Sequence, residues 1–464
     1  MMPRPTRALC PVCLAALPAL LKAEGGAVRL ERSCPEHGNF SEIIWEGPPN
    51  LESWTRPRAM PEPAPFQTAG GRGCPRDCGR CPQHRQRACT VLVEITRRCN
   101  LRCPVCFASS GREETFPPAT EIFAHLDWIR DQAGPVVLQL SGGEPTLHPD
   151  LPDIVRRARD LFPAVQLNTN GLLLARDQSL APRLARAGLS WIFLQFDGTR
   201  DEIHRALRGA DLQAAKEQAI AACALAGLAV VLVPTLAAGI NDDNLGDLLD
   251  FALERAPTVR GLHLQPMTAA GRNPFPPGRR LTLPRVLAAL ARQSKGRVLP
   301  EHASPPGCEH ERCSFHCRYL LDREGRLHPL GESACCSACA SPAEAPPTAS
   351  SFYLPAPSFP EAASAPPDLP APDDAPTERA IASVIRNWQS APPEEEEGDA
   401  LTRFINSARS RTFSITCMAF QDAWTADLER LQNCCVHVFA PPARLMPFCS
   451  YNLTNAQGEA LHRI

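Results

Sequence analysis

The chain has 464 residues, and its 48 basic and 50 acidic side chains leave a formal net charge of only −2. This balance argues against a nucleic-acid partner, which would require a basic stripe. The 21 cysteines are odd in number and occur as C-x2-C and C-x3-C pairs, a pattern typical of metal or cluster ligation in a reducing compartment rather than of disulfides. No apolar stretch is long enough to span a bilayer, and a C-P-V-C knuckle interrupts the signal-like start, so we expect a cytoplasmic protein.

The first predicted element is a small metal domain over residues 1–60. Cys10 and Cys13 form a CPVC knuckle, and CPEHG follows about twenty residues later with Cys34 and His37. Two such knuckles are typical of a ribbon around one ion, either Zn²⁺ or rubredoxin-like iron. The three cysteines are the expected ligands, and His37 is the best candidate for the fourth.

Residues 61–89 contain the first of two C-x3-C-x2-C triads. Cys74, Cys78 and Cys81 form this triad, and Cys89 completes a set of four. Four thiolates occupy every iron of a [4Fe–4S] cluster and leave no position for a substrate. The segment therefore predicts an auxiliary electron-transfer cluster, with a structural zinc as the alternative.

Residues 90–300 alternate between short apolar runs and helical patterns. The runs are rich in Val, Ile and Leu, as in strands buried on both faces. Six strand–helix units in series predict an α/β fold, a partial (βα)6 barrel with a parallel sheet and right-handed crossovers. Functional residues should then lie at the carboxyl ends of the strands. The expected strands are 90–96, 135–141, 164–170, 191–197, 228–235 and 261–267.

The second triad, Cys99, Cys103 and Cys106, directly follows the first of these strands. Polar and glycine-rich sequences end the next three strands: SGGEP, NTNG and QFDG. Three thiolates hold three irons of a [4Fe–4S] cluster and leave the fourth iron open. A zinc knuckle is the alternative, but no fourth ligand is evident near the triad. We therefore interpret this triad as catalytic.

The sequence CNLRCPVC, followed by GGEP and this strand pattern, resembles the radical S-adenosylmethionine superfamily over roughly residues 88–300. The resemblance implies an oxygen-sensitive enzyme in which S-adenosylmethionine binds the open iron and yields a 5′-deoxyadenosyl radical, which abstracts hydrogen from carbon. It also implies an external low-potential reductant, flavodoxin or ferredoxin. The glycines would let the backbone approach the methionine end of the cofactor. The implied cofactor-binding residues are Gly142, Gly143, Glu144, Asn168, Asn170, Gln195 and Asp197.

Residues 301–339 and 401–464 predict a Cys-rich C-terminal domain. The ending MAFQD…DLER…PFCSYN resembles one branch of the superfamily, which contains archaeal tetraether lipid synthase and the methanopterin-methylating protein. A bacterial subgroup called TrsS is similar as well. On that resemblance, a second auxiliary [4Fe–4S] cluster would have the ligands Cys308, Cys313, Cys434 and Cys449. The thiols left over as ligand alternatives or packing residues are Cys317, Cys417 and Cys435, and Cys223 is read as an inert core residue.

Residues 340–400 are rich in Pro and Ala and predict a disordered insertion. The bordering SACCSAC segment, with Cys335, Cys336 and Cys339, is read either as a redox pair or metal clip or as spare thiols.

The leading hypothesis is an enzyme that methylates, or forms a carbon–carbon bond on, a small molecule or lipid. The alternatives are a maturase acting on a peptide and, from another class, a non-catalytic multi-zinc module.

Overall fold

The structure is a computed structural model that describes residues 3–54, 68, 71–111, 115–275, 280–330, 376–389 and 408–463. The SACCSAC segment lies outside these ranges. Among the described helices, none combines the length and apolar character needed to cross a membrane.

The N-terminal ribbon is a four-stranded antiparallel meander in which each strand pairs with the next along the chain. Its strands are β1 (Arg4–Leu9), β2 (Ala16–Glu24), β3 (Ala27–Cys34) and β4 (Gly38–Glu46). In β3, buried residues alternate with partly exposed ones, as expected for a sheet with one covered face. Because the chain reverses at each hairpin, the β1–β2 and β3–β4 turns lie at the same end of the sheet. The two predicted knuckles occupy these turns.

The central domain is built on parallel strands joined by helices, as predicted. Its strands are β5 (Thr90–Thr96), β6 (Val137–Gly142), β7 (Ala164–Thr169), β8 (Trp191–Gln195), β9 (Val230–Val233), β10 (Thr235–Leu236) and β11 (Val259–Pro266). Its helices are α1 (Ala119–Ala133), α2 (Leu151–Leu161), α3 (Leu172–Arg176), α4 (Leu180–Arg186), α5 (Asp201–Arg208), α6 (Gln213–Leu225), α7 (Leu245–Leu253) and α8 (Leu283–Gln293). Most residues of β5 are fully buried, which confirms the interpretation of the apolar runs as interior strands.

The C-terminal segments extend this sheet at both edges, which the sequence did not predict. They form β12 (Ser314–Leu321), β13 (Leu327–Pro329), α9 (Pro376–Trp388), β14 (Thr412–Met418), α10 (Leu428–Gln432), β15 (Val436–Ala440), β16 (Arg444–Pro447) and α11 (Phe448–Tyr451). The resulting twelve-stranded sheet has the order β13-β12-β14-β11-β9-β8-β7-β6-β5-β15-β16, with β10 paired to β11. Strand β14 is parallel to β11, and β15 is parallel to β5. The cysteine-bearing C-terminal segments are thereby paired with the edges of the core sheet.

Helix α9 contradicts part of the expectation for residues 340–400. Pro376–Trp388 is helical, so the prediction of disorder is wrong for these residues. The helix buries Ile381 and Trp388, and the Trp388 indole meets the Phe193 ring edge-on at 6.1 Å. The sequence analysis missed this short amphipathic helix because the residues on either side of it are rich in Pro and Ala.

Candidate active site

Two glycines at the end of β6 hold the triad loop. Gly143 N donates to Thr96 O at 2.8 Å, and Glu144 N donates to Arg98 O at 2.8 Å. A Cβ on Gly142 would lie 2.1 Å from Thr96 O, and one on Gly143 would lie 2.2 Å from Arg98 O. Only glycine permits this approach. The structure thus gives these glycines a role that sequence reasoning missed: they allow close packing against the backbone segment that precedes Cys99.

A second glycine contact supports the other end of the loop. Cys106 and Arg272 exchange backbone hydrogen bonds of 2.8 and 2.9 Å, and Arg272 Nε donates to Cys103 O at 2.6 Å. A Cβ on Gly271 would lie 2.3 Å from Phe107 O. Sequence reasoning missed this Gly-Arg pair, although its position shortly after the last strand of the core was a usable signal.

Glu144 connects the ends of β6 and β7. Its carboxylate is buried and accepts hydrogen bonds from Thr146 N and Oγ1, from Thr169 Oγ1 at 2.6 Å and from Asn170 N at 2.7 Å. Asn170 in turn donates from Nδ2 to Asn100 Oδ1 at 2.7 Å, which links β7 to the triad loop. Burial raises the pKa of Glu144, although these donors oppose the shift. Because four donors already occupy the carboxylate, its geometry favours a positioning role.

Asn168 belongs to a row of amides across neighbouring strands. Gln166 Nε2 donates to Asn168 Oδ1 at 2.6 Å, Asn168 Nδ2 donates to Gln139 Oε1 at 3.3 Å, and Trp191 Nε1 donates to Gln166 Oε1 at 2.9 Å. The three amides line one internal cavity. They offer it both donors and acceptors.

Asp197 is buried beneath the cavity wall and does not line the cavity. Arg208 forms a bidentate pair with it, with two N–O distances of 2.7 Å, and also donates to Val105 O at 2.9 Å. Burial disfavours the charged carboxylate, yet Arg208 and the Thr235 amide hold the pKa of Asp197 below its usual value. Arg208 lines the cavity, whereas Asp197 is absent from its lining. Arg208 rather than Asp197 therefore faces the cavity, and the binding of a cofactor by Asp197 stays a prediction.

Gln195 is fixed by a buried lysine on α6. Lys216 Nζ donates to Gln195 O at 2.5 Å, to Gln195 Oε1 at 2.9 Å and to Asn170 O at 2.8 Å. Gln195 Nε2 also donates to Asp197. Burial lowers the pKa of Lys216 to about 7. This lysine, which sequence reasoning missed, ties together the carboxyl ends of β7 and β8.

The triad opens onto a cavity of about 500 Å³ inside the sheet. This size lies within the range of small-molecule sites. Three aromatic rings next to the triad, Phe107, Phe420 and Phe448, form mutual contacts with centroids 4.4–6.0 Å apart. Phe193, His263 and Trp388 supply further flat surfaces, and Cys89 and Cys308 also line the cavity. Core, C-terminal strands and α9 thus enclose one site.

The ribbon brings its four predicted ligands together. Cys10 Sγ and Cys34 Sγ lie 3.7 and 3.4 Å from His37 Nδ1, and the Sγ atoms of Cys13 and Cys34 are 4.0 Å apart. Tetrahedral bonds of about 2.0–2.3 Å place neighbouring donors roughly 3.5–3.8 Å apart, so the set fits one ion. The hydrogen bond with His37 lowers the pKa of Cys34 to about 7.

Known proteins agree with this architecture. Residues 93–252 match the family model of the radical SAM superfamily, and residues 2–46 match an HMPTM N-terminal zinc ribbon domain. The 7,8-dihydro-6-hydroxymethylpterin dimethyltransferase of Methanocaldococcus jannaschii is 30% identical over 486 aligned positions, covering 98% of this chain and 94% of that one. The chain belongs to the radical SAM superfamily.

Other relatives match smaller shares of this radical SAM enzyme. A GTP 3′,8-cyclase from Streptomyces coelicolor is 34% identical over 39% of this chain and 54% of that protein. The structure of Streptococcus suis SuiB bound to S-adenosylmethionine is 18% identical, with a TM-score of 0.36, over 45% of this chain and 47% of that one.

Enzymes of this superfamily use a [4Fe–4S] cluster and S-adenosylmethionine, and the triad has the donors for such a cluster. Burial raises the pKa of Cys99 to about 12 and also raises that of Cys103, so thiolates need bound iron to persist. The triad is not among the described sets whose donor atoms all lie within 4.8 Å of one another. Cluster thiolates bind different irons and are therefore more widely spaced than ligands of one ion. The donor set thus fits a cluster.

The auxiliary thiols group differently from the sequence prediction. Cys74 and Cys78 hydrogen-bond each other, and this bond, burial and the nearby Cys78 and Cys81 thiolates raise the pKa of Cys74. Cys89, the predicted fourth member of that set, lies instead with Cys308 and Cys435. Cys89 is placed beside Cys435 by the pairing of β15 with β5, a relation that spacing along the chain does not reveal. Its assignment to the first auxiliary set stays a prediction.

Three residues of the second predicted auxiliary set, Cys313, Cys434 and Cys449, lie near one another. Burial, and then the neighbouring thiolates of Cys449 and Cys313, raise the pKa of Cys434. Arg430 Nε donates to Cys313 Sγ at 3.4 Å. The buried guanidinium is suited to balance the negative charge of thiolates. Cys308, the remaining predicted member, is placed with Cys89 instead.

Proposed function

We propose that this enzyme cleaves one molecule of S-adenosylmethionine at a [4Fe–4S] cluster on Cys99, Cys103 and Cys106 and transfers the methyl group of a second molecule to a carbon of a small heteroaromatic molecule such as a reduced pterin. An external low-potential donor supplies the two electrons that this reaction consumes. The cavity carries this proposal, because it joins the triad to a row of amides and to stacked aromatic walls. The near full-length similarity to a pterin dimethyltransferase supports the same class of substrate.

The chain's own residues would prepare the site for this chemistry. Cys99, Cys103 and Cys106 would hold a [4Fe–4S] cluster that, once reduced by an external low-potential donor, would supply the electron for cleavage of S-adenosylmethionine. Gly142, Gly143 and Arg272 fix the loop that carries the three thiols. Arg208, held by Asp197, places a guanidinium in the cavity wall beside this loop through its bond to Val105 O. Enclosure of the cavity by the C-terminal strands limits water near the reacting groups.

The amide row is suited to a ring with alternating donors and acceptors. Gln139, Gln166 and Asn168 present both kinds of group on one wall, and the Phe193 ring packs near His263 with centroids 5.2 Å apart. A planar heterocycle can hydrogen-bond at its edge and stack on these faces. A purely aliphatic lipid would leave the amides without partners beyond their own row.

The test uses anaerobically reconstituted enzyme, dithionite, S-adenosylmethionine with a deuterated methyl group, and 7,8-dihydro-6-hydroxymethylpterin. We expect a pterin product that carries the deuterium label. Replacing Gln139 with Leu should reduce product formation at least about tenfold, the equivalent of roughly 1.4 kcal/mol, and raise KM more than it lowers kcat. Formation of 5′-deoxyadenosine with no labelled pterin would overturn the substrate assignment while leaving the superfamily assignment intact.

A further inference from the structure

A third group of cysteines converges at the amino ends of two neighbouring strands. The thiol sulfurs of Cys89, Cys308 and Cys435 all lie within 4.8 Å of one another, and all three residues are buried. Cys89 Sγ and Cys435 Sγ are 3.0 Å apart. Neither the ribbon nor the active-site triad uses these thiols.

Strand pairing explains the convergence. Strands β5 and β15 are parallel, with Thr90 opposite Val436, so the residues one position earlier, Cys89 and Cys435, face each other. Cys89 N donates to Cys435 O at 2.9 Å, which fixes this register. Cys308 is held nearby because Gln86 Nε2 donates to its carbonyl oxygen at 2.6 Å. The arrangement is thus a product of the fold.

We propose that Cys89, Cys308 and Cys435 bind one thiophilic metal ion, such as Zn²⁺, whose remaining coordination position faces the internal cavity. Two sets among the described residues have donor atoms this close together, and the other is the ribbon set. Sulfurs that bind separate irons of a cluster need wider spacing. Zn–S bonds of about 2.3 Å place tetrahedral sulfurs roughly 3.8 Å apart, so the closest pair would separate by roughly 0.8 Å on binding.

The open position follows from the surroundings of the three thiols. Within the part of the chain that the structure describes, no fourth His, Cys, Asp or Glu donor completes the set. Cys89 and Cys308 line the cavity that also reaches the triad. Arg318 and Arg379 line the same cavity. Three protein ligands with one free position are typical of zinc sites that bind a small molecule.

The cavity is lined by residues at both ends of β5. Cys89 precedes Thr90–Thr96 and Cys99 follows it. Six steps of roughly 3.3 Å give about 20 Å between the strand's ends. A donor atom at one end of the cavity's occupant, such as a ring nitrogen or an oxygen anion, would bind the ion while the other end faces the triad.

Metal content tests the site without any measurement of catalysis, so its result is independent of the proposed methylation. Wild-type protein, purified anaerobically with zinc and reconstituted with iron and sulfide, should hold two zinc ions per chain. Cys435→Ala and Cys89→Ala should each hold one, with iron and sulfide unchanged. Cys223→Ala is the matched control, because this thiol is buried in α6 and its pKa shift arises from burial alone.

If Cys435→Ala and Cys89→Ala fail to fold, a variant that lacks the ribbon site still tests the proposal, because any zinc it retains must lie elsewhere. Cys34→Ala should retain one zinc, and X-ray absorption should show three sulfur ligands and one lighter ligand. Unchanged zinc in Cys435→Ala would overturn the proposal. Loss of about four irons in that variant would show a cluster instead, and a Cys89–Cys435 disulfide in anaerobic wild-type protein would exclude the ion.

Discussion

Gly143 and Arg98 are in direct backbone contact: a Cβ on Gly143 would lie 2.2 Å from the Arg98 carbonyl oxygen, one residue before Cys99. The position of the loop that carries the triad therefore depends on the absence of a side chain at Gly143. Gly142 makes the equivalent contact with Thr96. The glycines of the GGE sequence therefore contact the backbone of the protein's own triad loop.

Gly143→Ala should displace the triad loop, because the neighbouring atoms are backbone and cannot rotate away. Overpacking of this kind costs about 1–3 kcal/mol. We expect 5′-deoxyadenosine formation to fall at least about tenfold, together with loss of cluster absorbance. Gly71→Ala is the control, because a Cβ there meets nothing within 4 Å. Equal rates and cluster content in the two variants would refute the packing role of Gly143.

Asp197→Asn should destabilise the core, because it leaves the buried Arg208 guanidinium without its ionic partner. Loss of one partner from a buried pair typically costs about 3–5 kcal/mol. Urea unfolding should show this as a lower midpoint with a similar slope. The exposed Arg200–Asp243 pair provides the comparison, and Asp243→Asn should change stability by less than about 1 kcal/mol. Similar effects of the two substitutions would contradict the assigned importance of the buried pair.

His263 should make stability depend on pH below neutrality. Burial lowers its pKa to about 4, whereas an unfolded histidine titrates near 6.5. Between these values the unfolded chain binds a proton that the folded chain does not, so stability falls as pH falls from 6.5 to 4. This residue contributes a slope of at most about 1.4 kcal/mol per pH unit.

His263→Gln should remove that contribution while keeping a hydrogen-bonding group near Thr416 Oγ1, which lies 2.7 Å from His263 Nδ1. Unfolding free energies of both proteins should be measured at several pH values between 4.5 and 7.5. The stability of the wild type should fall relative to that of the variant as pH decreases from 6.5 to 4.5. Parallel curves would show that His263 does not titrate in this way.

Much of the core could be predicted because its strands are short apolar runs with polar carboxyl ends. The ribbon ligands were also predictable, since the two knuckles lie in hairpin turns at one end of a meander. The grouping of Cys89 was not, because it depends on the pairing of β5 with β15, and the two cysteines are 346 positions apart. Local spacing contains no information about such pairings. Lys216 and Arg208 were missed because they look like ordinary charged helix residues until burial is known.

Cys34→Ala should cost the ribbon its metal ion and loosen its contact with the C-terminal segment. Leu9 N donates to Ala426 O at 3.3 Å across that contact. We expect one zinc fewer per chain and faster proteolysis within residues 3–54. Cys223→Ala should show neither effect. Retention of the zinc would exclude Cys34 as a ligand.

The most direct test of the central proposal compares 5′-deoxyadenosine formation in Cys103→Ala and Cys78→Ala after anaerobic reconstitution with dithionite and S-adenosylmethionine. If Cys99, Cys103 and Cys106 hold the cluster that cleaves S-adenosylmethionine, the nucleoside should be undetectable in Cys103→Ala and should persist, at least in part, in Cys78→Ala. Persistence in Cys103→Ala with loss in Cys78→Ala would contradict the assignment of the catalytic triad.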